Sequence, residues 1–362
     1  MNPKRIVVTG GAGFVGSNLA LFLKRDLEGV EVVALDNLKR RGSELSLERL
    51  RRGGVLFQHG DIRSPEDLDA LGAADLIVEC SAEPSVQAGY GGSPAYVIHT
   101  NLSGTIHCLE YARKHDCALM FLSTSRVYPI AGLRALPLEE QTTRLVIPHG
   151  QGGLGWSEAG IAESFPLQGS RSIYGTTKLA SELLIEEYRA MYGLRTIINR
   201  CGILTGPWQM GKVDQGVIVL WMAHHLFGLP LGYMGFGGTG KQVRDLLHVE
   251  DLYDLLRIQL ADLERHSGSV HNVGGGREVS ISLRELTDFC VRITGRSVPM
   301  GADPVTRDFD VPYYISDHDQ VTRLTGWRPK RSVEQTLLDI HAWIRDNRAL
   351  LSPLFGVPID NH

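Results

Sequence analysis

"VVTGGAGFVGSNLA", residues 7–20, decides how the rest of the chain is read. A β-branched run ends at Thr9, a glycine-rich turn follows, and a helical pattern begins at Phe14. Gly10, Gly13 and Gly16 fall at GxxGxxG spacing. Between a strand and a helix, such glycines let the backbone approach a ligand closely, and the first helical amides point at a pyrophosphate. Phe14 and Val15, in that first turn, join the candidate dinucleotide site. The second strand ends at Asp36, 20 residues after Gly16, where a carboxylate accepts hydrogen bonds from the adenosine ribose. A carboxylate repels a 2′-phosphate, so Asp36, followed by Asn37, points to NAD; Lys39, Arg40 and Arg41 directly after it leave NADP open. "GDIR" after the third strand offers Asp61 and Ile62 to the adenine, with a plain helix cap as the alternative for Asp61. Ser81 and Cys201, at the ends of later strands, complete the cofactor candidates.

Outward from that turn, RIVVT, VEVVALD, VLFQHG, ADLIVEC and ALMFLS alternate with segments of helical periodicity. This predicts an α/β fold, a Rossmann-type doubly wound parallel sheet with ligands at the carboxyl ends of its strands. The expected division is a dinucleotide-binding domain over 1–204 and a smaller mixed α/β C-terminal domain over 205–362, mainly for substrate, with 245–275 returning to the sheet. Residues 129–172 form a long, weakly patterned insertion of the kind that often covers an active site.

Composition excludes other classes. With 43% hydrophobic and 22% charged residues in 362, the chain reads as folded throughout. A net charge of -4, with basic clusters such as Lys39–Arg41 and Arg49–Arg52 that are short and interrupted by acids, argues against nucleic acid. Five cysteines without a CxxC pair suit free thiols in a reducing compartment. The N-terminus shows no signal-peptide pattern, and the longest apolar stretch, Gly216–Phe236, is broken by histidines, glycines and Pro230. A cytoplasmic protein without a membrane segment is expected. Adjacent His224 and His225 would point about 100° apart on a helix, and His248 suits a helix start, so no metal is expected.

"SIYGTTKLASELLIEEYRAMYG", residues 172–193, reads as a long amphipathic helix with Tyr174 and Lys178 one turn apart on one face. A free phenol, with a pKa of about 10, is a poor base; a nearby ammonium and the positive nicotinamide ring favour its phenolate. Tyr174 can then take a proton from a sugar hydroxyl while hydride leaves the same carbon. "LSTSRVYP", residues 122–129, brings Ser123, Thr124 and Ser125 to the end of a strand.

TGGAGFVG, Asp36, the strand-end STS, YGTTK and RDLLHVED together resemble the extended short-chain dehydrogenases/reductases that modify nucleotide sugars. The resemblance covers nearly the whole chain. It implies bound NAD, a nucleoside diphosphate-sugar substrate, a homodimer through a four-helix bundle that includes the Tyr-Lys helix, and catalysis by Thr124, Tyr174 and Lys178. Thr124 takes this role from its place three residues before Val127 of the "VY" motif. Dehydratases of this family carry an Asp-Glu pair after the catalytic threonine, where this chain has Ser125 and Arg126. Epimerisation, oxidation followed by re-reduction, is the reaction that remains.

Within the family the chain is most similar to the CDP-tyvelose (CDP-paratose) 2-epimerases. The likeness rests on "STSRVY", "LEEQTTR" and "GWSE" in the insertion, "VDQG", "GKQVRDLLHVED", "TRDFD" and "YYISD". A 4-epimerase of a UDP-hexose or UDP-uronate would use the same residues, and a non-catalytic NAD-binding sensor is the reading from another class. For the substrate diphosphate, Arg244 and Arg307 offer forked donors, unless they pair with Asp245 or Asp310. Ser125, Arg126, Gln209, Asp214 and Gln215 are further substrate candidates, the last three balanced against ordinary loop roles. Two departures stand out. Pro129 replaces the glycine after "VY", and Ile203 replaces an asparagine in "RCGILTGP".

Overall fold

A computed structural model describes residues 3–211 and 216–357. Strands β1 (Arg5–Thr9), β2 (Glu31–Asp36), β3 (Leu56–His59), β4 (Leu76–Glu79) and β5 (Ala118–Thr124) form most of one sheet. Strands Thr196–Cys201 and Ser269–Val273 complete it, giving seven strands in the order β3-β2-β1-β4-β5, then 196–201 and 269–273. All neighbours are parallel. Strands buried on both faces need continuous apolar runs, which is how β1, β2, β4 and β5 read; β3, at the edge, is partly exposed. The order reverses between β1 and β4, and the crevice there opens above the carboxyl ends of the strands.

Two apolar layers hold the sheet. On one face, Leu19 and Leu23 of helix α1 (Phe14–Asp26) pack with Leu252, Leu255 and Leu256 of the helix Val249–Ala261. On the other, Cys108, Leu109 and Ala112 of the helix Gly104–His115 and Ile185 of the helix Ile173–Tyr192 cover Leu119 and Phe121 of β5. Ser172 caps that last helix by accepting from the Gly175 amide at 3.2 Å. The helix therefore starts immediately before Tyr174.

A second sheet joins Ile203–Thr205, Val243–His248 and Ser280–Ser282, with Tyr313–Tyr314 alongside. Residues 245–275 thus leave from this second sheet, pass through the helix packed on α1, and return to the edge of the seven-stranded sheet. The insertion 129–172 is ordered by its own apolar cluster. Leu133, Leu136, Ile147, Ile161 and Phe165 pack against Val243, Val311 and Tyr313–Ile315 of the C-terminal part. Pro129 is extended, with φ at -70°, and starts the short helix Ile130–Arg134, which explains the loss of the glycine there. Among the described residues, no helix is long and apolar enough to cross a membrane.

Candidate active site

A cavity of about 980 Å³ runs from the β1–α1 turn across the strand ends to the C-terminal part. It brings together Gly10, Gly13, Phe14, Val15, Gly16, Asp36, Asn37, Asp61, Ile62, Ser81 and Cys201 at one end. Thr124, Ser125, Arg126, Tyr174, Lys178, Gln209, Arg244 and Arg307 line the remainder. Asp214 and Gln215 lie outside the described residues. Residues 129–172 line no part of this cavity; they stand beside it, because their apolar side chains find a core against the C-terminal part.

Backbone geometry shapes the glycine turn. Gly10 is left-handed, with φ at +63°, and a side chain there would meet the Cys80 and Ser81 backbone at 2.9 Å. A Cβ on Gly16 would lie 2.2 Å from the Gly10 carbonyl oxygen. Above the turn, the Asp36 carboxylate accepts from the Ala12 amide at 3.1 Å and the Leu38 amide at 2.8 Å. Burial raises its pKa while those amides pull it down. Asp61 is not a helix cap; Ser64 precedes the next helix, and Asp61 accepts from Asn37 at 2.8 Å and from the Arg63 guanidinium.

At the centre, Thr124 ends β5, and its Oγ1 accepts from the Arg126 amide at 3.2 Å. The Thr124 hydroxyl also stands beside the Tyr174 phenol, where its polarity favours the ionised form. Burial raises the Tyr174 pKa, opposite to the lowering expected from the sequence, and the nearby cation that offsets this is Arg126. Lys178 is buried, its Nζ 3.7 Å from the centre of the Phe121 ring. Burial lowers its pKa, while Glu79 and Glu182 raise it. Ser123 points away from this group and donates to Glu182, so Thr124 is the hydroxyl of the three that meets Tyr174.

On the far side, Arg244 gives its guanidinium to the carbonyls of Val243 (2.7 Å) and Val311 (2.6 Å), and Arg126 donates to Phe309 O at 3.3 Å. Asp245 turns from Arg244 to accept from the Ser316 amide at 3.1 Å. Burial, helped by Arg126, lowers the Arg244 pKa to about 9. Among the described residues neither Arg126 nor Arg244 makes an ion pair within 4.0 Å; Asp310, which also lines the cavity, is the carboxylate whose charge favours both guanidiniums. Arg307 reaches the Met234 sulfur at 3.7 Å. Gln209 has both ends of its amide engaged, with Thr205 and with Leu204 O, and so serves its own loop. Ile203 lines the cavity and pairs with Leu246, taking a strand role where an asparagine was expected.

Several lining residues carried no sequence signal. Trp208 adopts φ +72° and stacks with the Arg49 guanidinium at 4.4 Å; Lys39 covers Tyr96 at 4.1 Å. Glu83, within reach of the Tyr174 charge, accepts the Ser85 amide at 3.1 Å. His248 caps its helix by accepting from the Glu250 amide at 3.2 Å.

The NAD dependent epimerase/dehydratase family model matches residues 6–274. The chain belongs to this family. It is 29% identical to CDP-paratose 2-epimerase of Salmonella typhi, over 94% of this chain and 98% of that protein. It is 31% identical to dTDP-glucose 4,6-dehydratase of Mycobacterium tuberculosis, over 97% and 96%. UDP-glucose 4-epimerase of Thermotoga maritima, solved with UDP-glucose, superposes with a TM-score of 0.76 at 26% identity, covering 95% of this chain and 99% of that one. The cofactor of this epimerase/dehydratase family member is NAD. The glycine cradle, free of Cβ atoms where backbones nearly touch, and the Asp36 carboxylate at the β2 end fit that cofactor.

Proposed function

We propose that this protein is an NAD-dependent nucleotide-sugar epimerase, and specifically a CDP-paratose/CDP-tyvelose 2-epimerase. One observation carries the reading: Thr124 and Tyr174 meet at the cavity centre, and Thr124 is followed by Ser125 and Arg126 rather than by an acid and a base. The similarity to CDP-paratose 2-epimerase over nearly the full length of both chains supports the choice of sugar.

Arg126, Arg244 and Arg307 hold the substrate diphosphate and sugar at the C-terminal side. Thr124 Oγ1 and Tyr174 Oη flank the reacting hydroxyl, and Tyr174, as phenolate, takes its proton. Arg126 is the cation that offsets the cost of burial at Tyr174, and Lys178, one helical turn away, is assigned the same role from its spacing. Bound NAD supplies the acceptor and then the donor of the hydride. Thr124 hydrogen-bonds the new carbonyl, and Tyr174 returns the proton once the keto-sugar has presented its other face. No net oxidant is consumed.

A second reading, 4-epimerisation of a UDP-hexose or UDP-uronate, is supported by the similarity to the Thermotoga maritima enzyme. Incubating the purified protein with CDP-paratose, CDP-tyvelose and UDP-glucose, and following the inverted carbon by NMR, separates the two. Inversion at C2 of a CDP-sugar is expected; conversion of UDP-glucose alone overturns the first reading. Exposed Leu183, Met191 and Tyr192 on the helix that carries Tyr174 support a homodimer through that helix. We place the protein in the cytoplasm.

A further inference from the structure

Behind Lys178 lies a carboxyl group that the proposed mechanism does not use. Glu79, the last residue of β4, is completely buried and pairs in register with Phe121 of β5. Phe121 is the ring on which the Lys178 ammonium rests. Glu79 and Lys178 therefore share the dry layer between the sheet and the helices 104–115 and 173–192, and each responds to the other's charge. Glu79 Oε2 lacks a hydrogen-bond partner among the described residues, with only the weak Cys108 thiol beside the group.

The other oxygen shows how this group changes state. Thr105 Oγ1 lies 2.6 Å from Glu79 Oε1 and 2.7 Å from the Asn101 carbonyl oxygen. One hydroxyl proton cannot serve two acceptors. With Glu79 ionised, Thr105 donates to Oε1, and Asn101 O keeps the Ser181 hydroxyl at 3.2 Å. With Glu79 protonated, the acid donates to Thr105, whose hydroxyl then donates its hydrogen bond to Asn101 O. Both states are fully hydrogen-bonded at these atoms. Asn101 lies in a π-helical turn, His99–Ser103, and its Nδ2 donates to Thr177 Oγ1 at 3.3 Å, one residue before Lys178.

We propose that Glu79 is a positioning residue that switches between these two hydrogen-bonded states and, through Lys178, sets the pH range in which the Tyr174–Lys178 pair works. The inference rests on the proposed role of that pair. Burial raises the Glu79 pKa to about 7, with Lys178 and the Thr105 bond lowering it. The other ionisable groups around the two are Cys80 on β4, Cys108 on the 104–115 helix, and Glu182 and Tyr174 on the 173–192 helix. Cys201 and Arg200 face them from the strand 196–201. Cys108 and Cys201 are buried and Cys80 is half-buried; all three thiols are pushed up, Cys201 to about 12, so none ionises near neutrality. Glu182 is held by Arg200. Glu79 is left as the titrating neighbour of Lys178.

Infrared difference spectroscopy of the full-length, NAD-bound protein tests this directly. A buried carboxylic acid band is expected that disappears between about pH 6 and about pH 8. It should be absent in Glu79→Gln and persist to a pH roughly one to three units higher in Lys178→Met, which removes the opposing charge. Turnover of Glu79→Gln should show its alkaline limb shifted down by about one pH unit or more, because Lys178 loses the anion that retains its proton. A purely structural role would alter stability and leave that limb in place. No titrating band in wild type, a band unmoved in Lys178→Met, or an unmoved alkaline limb each overturns the inference. If no nucleotide sugar turns over, the proposed function fails, and the two infrared titrations still decide the role of Glu79.

Discussion

Replacing Arg200 by methionine should be among the most damaging single changes outside the cavity. Arg200 grips both oxygens of Glu182, with Nε at 3.1 Å from each and Nη2 at 2.7 Å from Oε2, and its Nη1 meets Tyr128 Oη at 3.2 Å. The two side chains are 7% and 2% exposed, so solvent cannot compensate for a lost partner. Without Arg200, Glu182 keeps the Ser123 hydroxyl as a donor but remains a buried charge, which costs about 3–5 kcal/mol. Replacing both residues, Glu182→Leu with Arg200→Met, removes the stranded charge and should recover about 2 kcal/mol or more of that loss. Urea unfolding at fixed NAD concentration, followed by circular dichroism, gives the full cycle. Ser123 adjoins Thr124, so the single variants should also lose turnover by displacing the end of β5. A cost below about 1 kcal/mol for Arg200→Met, or strictly additive losses in the double variant, would refute the reasoning.

Gly16→Ala should abolish NAD retention, since its Cβ would fall 2.2 Å from the Gly10 carbonyl oxygen; fluorescence titration with NADH measures this. Tyr174→Phe should retain NAD and lose roughly 10²–10⁴-fold in turnover, read by NMR of the sugar. Arg126→Met should cut turnover more than it weakens NAD binding, because Arg126 is the cation offsetting burial at Tyr174. His271 is buried without a hydrogen-bond partner among the described residues, and burial lowers its pKa to about 4. A depressed base contributes stability above its unfolded pKa of about 6.5 and loses it as pH falls towards 4. His271→Leu should flatten the stability profile over that window by up to ~3 kcal/mol, measured by urea unfolding at each pH.

Local signals were readable where physics is local. The β1–α1 turn announces itself because a side chain at position 10, already at φ +63°, would meet the Cys80 and Ser81 backbone, and one at position 16 the Gly10 carbonyl. Asp36 follows from strand length, and Tyr174 with Lys178 from helical spacing. Thr124 is separated from Ser123 by its place three residues before Val127, which the resemblance to the family supplies. What stayed hidden depends on distant partners. Glu182 and Arg200 look like two ordinary surface charges until the helix and its following strand are laid together. The raised pKa of Tyr174 is a property of how much chain covers it, which no spacing encodes. The insertion 129–172 appears weakly patterned because its apolar residues match a surface more than 70 residues away, at Val243 and Val311–Ile315.

The placement of charge explains how one fold keeps a dry reaction centre beside a ligand with several negative charges. Under the sheet, Glu79, Lys178, Glu182 and Arg200 alternate in sign and cancel when all are ionised. Such cancellation is required there, because an uncompensated charge in that layer would cost several kcal/mol. The cavity above follows the opposite rule. Seven lysine and arginine side chains line it against four aspartates and glutamates, although the whole chain carries -4. Two pyrophosphate groups, one from the cofactor and one from the proposed substrate, would reverse that excess on binding. The half-buried arginines should therefore be held in place more by ligand than by protein, and Arg126 stands where the two influences meet. Its amide is tied to Thr124, its guanidinium faces the substrate side, and its charge acts on Tyr174. An acid at this position would oppose the phenolate that epimerisation needs; an arginine favours it.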